Sequence, residues 1–460
     1  MDILNRDSIL SNASSPLNQK LRTDALDIFK DAIEAVDPEK TIMSKVKLQN
    51  EQLTVCTDLY DLTKFKRIFV IGGGKAAVSM ARAIESVLGR RITSGLLNVL
   101  KGSESDVRLK SIQLNGSAHP IPDDAGVIGV QKMLNLVDKC NEDDLVLVLI
   151  SGGGSALMPS PADGVSLADI QTITSQLLKR GATINEINAI RKHLDSIKGG
   201  QLAERCQPAQ VIGLIISDVV GDPLDIIASG PTSPDSSTFL TCQEILNKYL
   251  IWENAPLSIK NRFLKGVNGL INETPKPTHS IFKKVKNYIL ANNSIAADAA
   301  AKKATKMGYQ TLILSSMIEG EARHVGTVFS GIAREINIRK RPVKPPAAII
   351  LGGETTVEVK GNGVGGRNQE VALAASKKIA NVNCIIASLA TDGIDGPTDS
   401  AGAIVDGMTM TRAINAGLNP DTYLSNNSSY EFFNLLNDHI LTGPTGTNVN
   451  DLALILVAGT

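Results

Sequence analysis

Short apolar runs that break into glycine-rich loops constrain this chain more than any other feature. Arg67–Ile71 leads into Gly72, Gly73 and Gly74, Leu145–Ile150 into Ser151–Ser155, and Ala347–Leu351 into Gly352 and Gly353. Runs this short and uninterrupted fit strands buried on both faces, and the helical periods that alternate with them fit crossover helices. The expected fold class is therefore α/β, with parallel sheets covered by helices. Helices are predicted at residues 23–36, 76–88, 167–179, 184–194, 294–306 and 321–336. Further strands are predicted at 211–216, 288–291, 311–314, 384–389 and 452–457. A length of 460 residues allows two or three domains. The polar, proline-containing stretch NETPKPTH at residues 272–279 suggests a boundary there, dividing residues 1–280 from 281–460.

Several function classes are disfavoured at this stage. Lys plus Arg (47) equals Asp plus Glu (47), and aromatic residues make up only 3%; a broad nucleic-acid surface needs positive charge and stacking rings. No apolar run approaches the roughly 20 residues of a membrane-spanning helix, and the first 16 residues resemble neither a signal nor a transit peptide. Five scattered cysteines without a CxxC pair suggest reduced thiols and a cytoplasmic setting. His119 and His193 lack partners at zinc-ligand spacing; His119 reads as a loop positioner and His193 as a packed or surface residue.

Three glycine-rich loops carry the chemistry. In IGGGKAAVSMARAIE (71–85), Gly72, Gly74 and Ala77 satisfy the relaxed G-x-G-x-x-A spacing that brings a phosphate to backbone N–H groups and a helix N-terminus. The next apolar run, 92–100, lacks the acid that a dinucleotide site uses for its ribose, which counts against NAD. Lys75, inside the loop, suits a phosphate or carboxylate. In the second loop Ser151, Gly152, Gly153, Gly154 and Ser155 can form an anion nest with hydroxyls at its rim. The third stretch, 351–376, places Arg367 at the start of a predicted helix, a setting favourable to phosphate, with Glu354 as a candidate metal ligand and a solvated charge as the alternative. Arg191, Lys192 and Lys198 form either a solvated face or a receptor for an acidic ligand. Asp218 and Asp222 follow one strand, and Asp392, Asp395 and Asp399 follow another, at the ends where open sheets build sites. Gly-Pro-Thr recurs at 230, 396 and 443, as a favoured turn or as part of a site. No Walker A motif, protein-kinase loop or G-x-S-x-G elbow occurs.

Taken together, the blocks IGGGKAA, HPIPD, SGGGSALM, INAIRKHL with IKGGQLA, SDVVGDPLDIIASGPTSPD, GGETTVEVKGNGVGGRNQE, ATDGIDGPTDSAGA and TGPTGTNVND resemble the glycerate 2-kinases, the class II glycerate kinase family. Some members of that family carry the label hydroxypyruvate reductase. The resemblance spans about residues 20–458. It implies ATP- and Mg²⁺-dependent phosphorylation of D-glycerate to 2-phosphoglycerate. It also implies a larger Rossmann-like N-terminal domain, a smaller C-terminal α/β domain, and an active site in the interdomain cleft; a homodimer is compatible with it.

Carried onto this sequence, the resemblance implies Lys75 and Arg367 as catalytic cations and the two loops 72–74 and 151–155 as phosphate-facing. The acidic positions fall on Asp218, Asp222, Glu354 and Asp392. Asp218 is expected to act in catalysis, Asp222, Glu354 and Asp392 to hold metal, and Arg191 and Asn368 to bind substrate or nucleotide. Two residues depart from the family pattern: Asp195 stands where serine is usual, which alters local charge, and Ser400 stands where alanine is commoner. Two unit charges about 5 Å apart at an effective dielectric near 20 repel by roughly 3 kcal/mol, so a neutral protein joining two anions must gather cations locally. The alternatives are an NAD(P)H-dependent hydroxypyruvate reductase and a non-enzymatic binding module.

Overall fold

In the computed structural model of the protein, which describes residues 2–105 and 107–459, the apolar runs and helical periods assemble into two α/β units. One unit is Pro38–Leu290; the other joins Met1–Asp37 to Ala291–Thr460.

The Pro38–Leu290 unit is built on a six-stranded sheet. Its spatial order is Ile112–Ser117, Ser94–Leu100, Arg67–Gly73, Asp144–Ile150, Gln210–Ile216 and Val285–Ala291. The first five strands pair in parallel. Every residue of Asp144–Ile150 is buried, as expected of a strand with both faces covered. Helices start where side chains satisfy their open amides. Ser166 and Asp169 form a capping box for Leu167–Lys179, and Thr183 and Glu186 form one for Ile184–Leu194. A separate antiparallel sheet, Val46–Gln49, Gln52–Val55 and Asp58–Asp61, was not expected from the sequence. Its first turn places Asn50 and Glu51 at φ 46° and 62°, the left-handed pair that matches hairpin twist, without the Asn-Gly signal that usually announces it.

The second unit carries a sheet ordered Gln310–Ile318, Ala347–Gly353, Asp451–Val457, Cys384–Ala390, Gly402–Asp406 and His439–Ile440. Gln310–Ile318 pairs in parallel with Ala347–Gly353, but the remaining neighbours are antiparallel. The expectation of an all-parallel arrangement holds for five strands of the first unit and is corrected here. Buried apolar runs signal strands covered on both faces, and they carry no direction.

The division also differs from a single cut near 280. Val285–Ala291 is the edge strand of the first sheet. The proline-containing stretch before it is anchored in the first unit: Glu273 accepts from the Phe239 amide at 2.9 Å, and Thr274 donates to Asp235 at 2.9 Å. At the other end, the helix Pro16–Ala35 belongs with the C-terminal half. Its fully buried Arg22 donates to Asp406 at 2.9 Å and to Asp438 at 2.8 Å. Burying a guanidinium requires such paired carboxylates, so the N-terminal segment folds where they are.

Candidate active site

In the Pro38–Leu290 unit the C-terminal ends of three adjacent parallel strands bring together the first glycine loop, the second glycine loop and Asp218. The two loops are tied to each other. The Lys75 amide donates to the Gly152 carbonyl at 2.9 Å, the Ala76 amide to Ser151 Oγ at 3.0 Å, and the Ser151 amide to the Gly73 carbonyl at 3.3 Å. Two glycines are required by this approach. Gly74 has φ 146°, and a Cβ there would lie 2.2 Å from Ser151 Oγ; a Cβ on Gly152 would lie 2.1 Å from Asp218 Oδ2. The amides of Gly152 and Gly153 donate to no protein acceptor among the described residues. Unused amides beside glycines suit an incoming anion.

Lys75 is exposed and has no carboxylate partner among the described residues. Its stem and the ring of His119 stand against Gly153. His119 is held by the loop preceding the helix Asp124–Val137, which Asp123 caps by accepting from the Gly126 amide at 3.0 Å. Burial and then the Lys75 charge push the His119 imidazole below its usual range, so at neutral pH it stands beside the ammonium as an uncharged ring.

The Arg191–Lys198 group is not a solvated face. Lys192 and Lys198 are buried; Lys192 lies 3.1 Å from Asp225, and Lys198 lies 2.5 Å from Asp195 and donates to the Met158 carbonyl at 3.1 Å. Asp195 also accepts from the amides of Ser160 and Ile197, each at 3.0 Å. Asp195 thus supplies the counter-charge of a buried lysine. Arg191 differs from both neighbours: burial lowers its pKa, and it has no ion-pair partner among the described residues. One turn earlier, Asn188 accepts from Ser229 at 3.0 Å, and Ser229 lies 2.9 Å from Ser155 of the second loop. His193 is a packed residue, 3.0 Å from Glu273.

The second unit presents its arginine in another way. Arg367 begins the helix Arg367–Ser376, as expected. Its guanidinium grips Asp451 through Nε at 2.6 Å and Nη2 at 3.0 Å, and donates from Nη1 to Glu354 at 2.8 Å. The two carboxylates raise the Arg367 pKa against its burial, whereas burial pushes Asp451 up to about 7 despite the arginine. Glu354 is thus an ion-pair partner of Arg367. The helix N-terminus is occupied by Asp395, which accepts from the amides of Asn368 at 3.1 Å and Gln369 at 2.9 Å. Asn368 is buried; it donates to Asp395 at 3.2 Å and accepts from Ser388 at 2.6 Å. Asp392 accepts from the Ile394 amide at 3.1 Å within its own turn.

Among the described residues no three His, Cys, Asp or Glu side chains converge as a metal cluster. Asp218 and Asp222 follow one strand of the first unit, whereas Glu354 and Asp392 follow separate strands of the second. Sequence reasoning missed His119 as a neighbour of Lys75, the relay through Asn188 and Ser229, and above all Asp451. The available signal for Asp451 was a carboxylate placed directly before the apolar run 452–457.

Comparison with known proteins places these features in context. Residues 24–264 match a family described as a domain of unknown function (DUF4147), and residues 347–451 match the MOFRL family. A glycerate 2-kinase from Pyrococcus horikoshii is 40% identical over 95% of this chain and 97% of its own length. The chain belongs to the glycerate kinase family. A crystal structure of the glycerate kinase from Thermotoga maritima matches with a TM-score of 0.85 or better: the value is 0.86, at 41% identity, covering 96% of this chain and all (100%) of that one. An Agrobacterium vitis relative that carries a hydroxypyruvate reductase name is 40% identical over 85% of this chain and 99% of its own length. Among the described residues, no helix of this family member is long and apolar enough to cross a membrane.

Proposed function

We propose that the protein transfers the γ-phosphoryl group of ATP to D-glycerate, giving 2-phosphoglycerate. The observation that carries this reading is the pair of interlocked glycine loops with an exposed Lys75 and uncommitted amides at Gly152 and Gly153. Phosphoryl transfer is mostly positioning and charge neutralisation, and these groups supply both. Lys75 neutralises charge developing on the transferred group, while the loop amides orient the phosphates. Arg191 gives the second anion a counter-charge that no carboxylate among the described residues claims.

Asp218 lies against Gly152, close enough to the loops to receive the proton of the acceptor hydroxyl. The oxygen donors of Asp218 and Asp222 fit Mg²⁺, which keeps substrate phosphates and waters as ligands and needs only one or two carboxylates. When bound, Mg²⁺ supplies further neutralisation of phosphate charge. Arg367 brings charge already balanced by Asp451 and Glu354, and its role is to present that guanidinium in a fixed orientation.

A steady-state assay of ADP release tests the proposal. It predicts release that requires D-glycerate; ADP formation indifferent to glycerate would refute it. The reductase reading rests on the name carried by the Agrobacterium vitis relative and on the G-x-G-x-x-A spacing. Its ribose acid is missing from Ser94–Leu100, and the next acid, Glu104, accepts from the Gly102 amide at 2.7 Å. NAD(P)H oxidation with hydroxypyruvate, in the absence of kinase turnover, would favour it.

A further inference from the structure

Ser229 lies in a turn to which the proposed phosphoryl transfer gives no role. The backbone is left-handed at three successive residues, with φ 50° at Ala228, 60° at Ser229 and 63° at Gly230. Residues with a Cβ seldom adopt this region, and such conformations persist where the surroundings over-determine them. Here the Ser229 amide donates to the Ile226 carbonyl at 2.8 Å. The carbonyls of Ser229 and Gly230 accept from the amides of Gly199 at 2.9 Å and Gly200 at 2.7 Å. The turn also abuts the second glycine loop, because a Cβ on Gly154 would lie 2.9 Å from that of Ala228.

The fully buried Ser229 side chain orders protons along a short chain. Its Oγ donates to Asn188 Oδ1 at 3.0 Å and lies 2.9 Å from Ser155 Oγ. A hydroxyl has one hydrogen. With the Ser229 hydrogen directed to Asn188, the contact between the serines requires Ser155 to donate. Ser155 then faces away from Ser229 with lone pairs only: it can accept a hydrogen bond but has none to give. Such a group repels a phosphate oxygen and suits an alcohol.

We infer that Ser229 is a positioning residue that fixes Ser155 as an acceptor-only hydroxyl, oriented to accept a hydrogen bond from the hydroxyl of the alcohol substrate that is not phosphorylated, and not to bind phosphate. The inference rests on the kinase reading above and adds a division of labour within one loop: amides for phosphate, Ser155 for the acceptor alcohol.

Two variants test it with D-glycerate and ATP varied separately. Ser229→Gly keeps the left-handed backbone and removes the hydroxyl; Asn188→Ala removes the far acceptor and leaves the turn intact. Each is expected to lower kcat/KM for D-glycerate roughly 10- to 100-fold, as misorientation of a reacting group does, with KM for ATP within about twofold of wild type. Adding Ser229→Gly to Ser155→Ala is expected to cause no further loss, since residues acting through one another are not additive. Additive losses, a parallel rise in KM for ATP, or both single variants at wild-type activity would overturn the inference. Should Ser229→Gly fail to fold, Asn188→Ala decides alone. An inactive wild type would refute the kinase reading, whereas an active wild type with indifferent variants refutes only the role of Ser229.

Discussion

The two glycine-rich regions handle their cations in opposite ways. In the Pro38–Leu290 unit, Lys75 is exposed, Arg191 is partly buried, and neither has a carboxylate partner among the described residues. In the other unit, Arg367 is held by Asp451 and Glu354, and the helix N-terminus it begins is occupied by Asp395. A glycine loop beside a basic residue therefore has two outcomes in one chain. Where no carboxylate among the described residues pairs with the cation, charge and amides remain available to an incoming anion. Where carboxylates claim the cation, the same elements become a rigid internal structure, and the arginine contributes orientation more than free charge.

The largest expected effect separates these roles. Arg367→Ala leaves the buried Asp451 without its cation, which costs about 3 kcal/mol or more of stability in addition to activity. Chemical denaturation should show a lowered midpoint. Lys75→Ala should lower kcat by roughly 10²- to 10³-fold while leaving that midpoint unchanged, since no carboxylate among the described residues depends on the ammonium. Equal loss of stability in both variants would erase the contrast. Arg191→Met should sharpen it further: removing a desolvated, unpaired charge is expected to stabilise the protein by about 1 kcal/mol while raising the KM of one anionic substrate about tenfold.

A smaller effect concerns acid stability. Burial raises the Glu273 pKa, but the His193 and Phe239 hydrogen bonds outweigh it and bring the carboxyl down to about 2. A carboxyl depressed on folding stabilises the protein above its unfolded value, and that stability is lost as pH falls from about 4.5 towards 2. Because the Glu273 side chain is 35% exposed, solvent screening reduces the contribution to about 1 kcal/mol. Glu273→Gln should remove this part of the acid dependence while leaving the site loops unaffected, as read from melting temperatures across that pH window.

Much of the architecture was legible from local pattern. Leu167–Lys179 and Ile184–Leu194 fall where the helical period places them, and Arg67–Gly73 and Asp144–Ile150 extend the predicted strands by one or two residues. The glycine loops and Lys75 were legible because their chemistry is contiguous in sequence. Long-range partners left no such trace. Arg22 meets Asp406 across 384 positions, so nothing local shows that the helix Pro16–Ala35 belongs with the C-terminal half. Strand direction in the second sheet, and the clamp of Asp451 on Arg367, depend on pairings that an apolar run does not encode. In sequence the cluster at 191–198 reads equally as a solvated face or as a receptor for an acidic ligand, because burial of Lys192 and Lys198 requires Asp225 and Asp195 in three dimensions, not at a recognisable spacing.

The most direct test of the central claim is ³¹P NMR of the products formed when the purified protein is mixed with D-glycerate, ATP and Mg²⁺, read beside an identical sample of Lys75→Ala. The account predicts a 2-phosphoglycerate resonance that grows with ADP in the wild type and is nearly absent in the variant. No phosphorylated glycerate from the wild type, or equal product from Lys75→Ala, would contradict it.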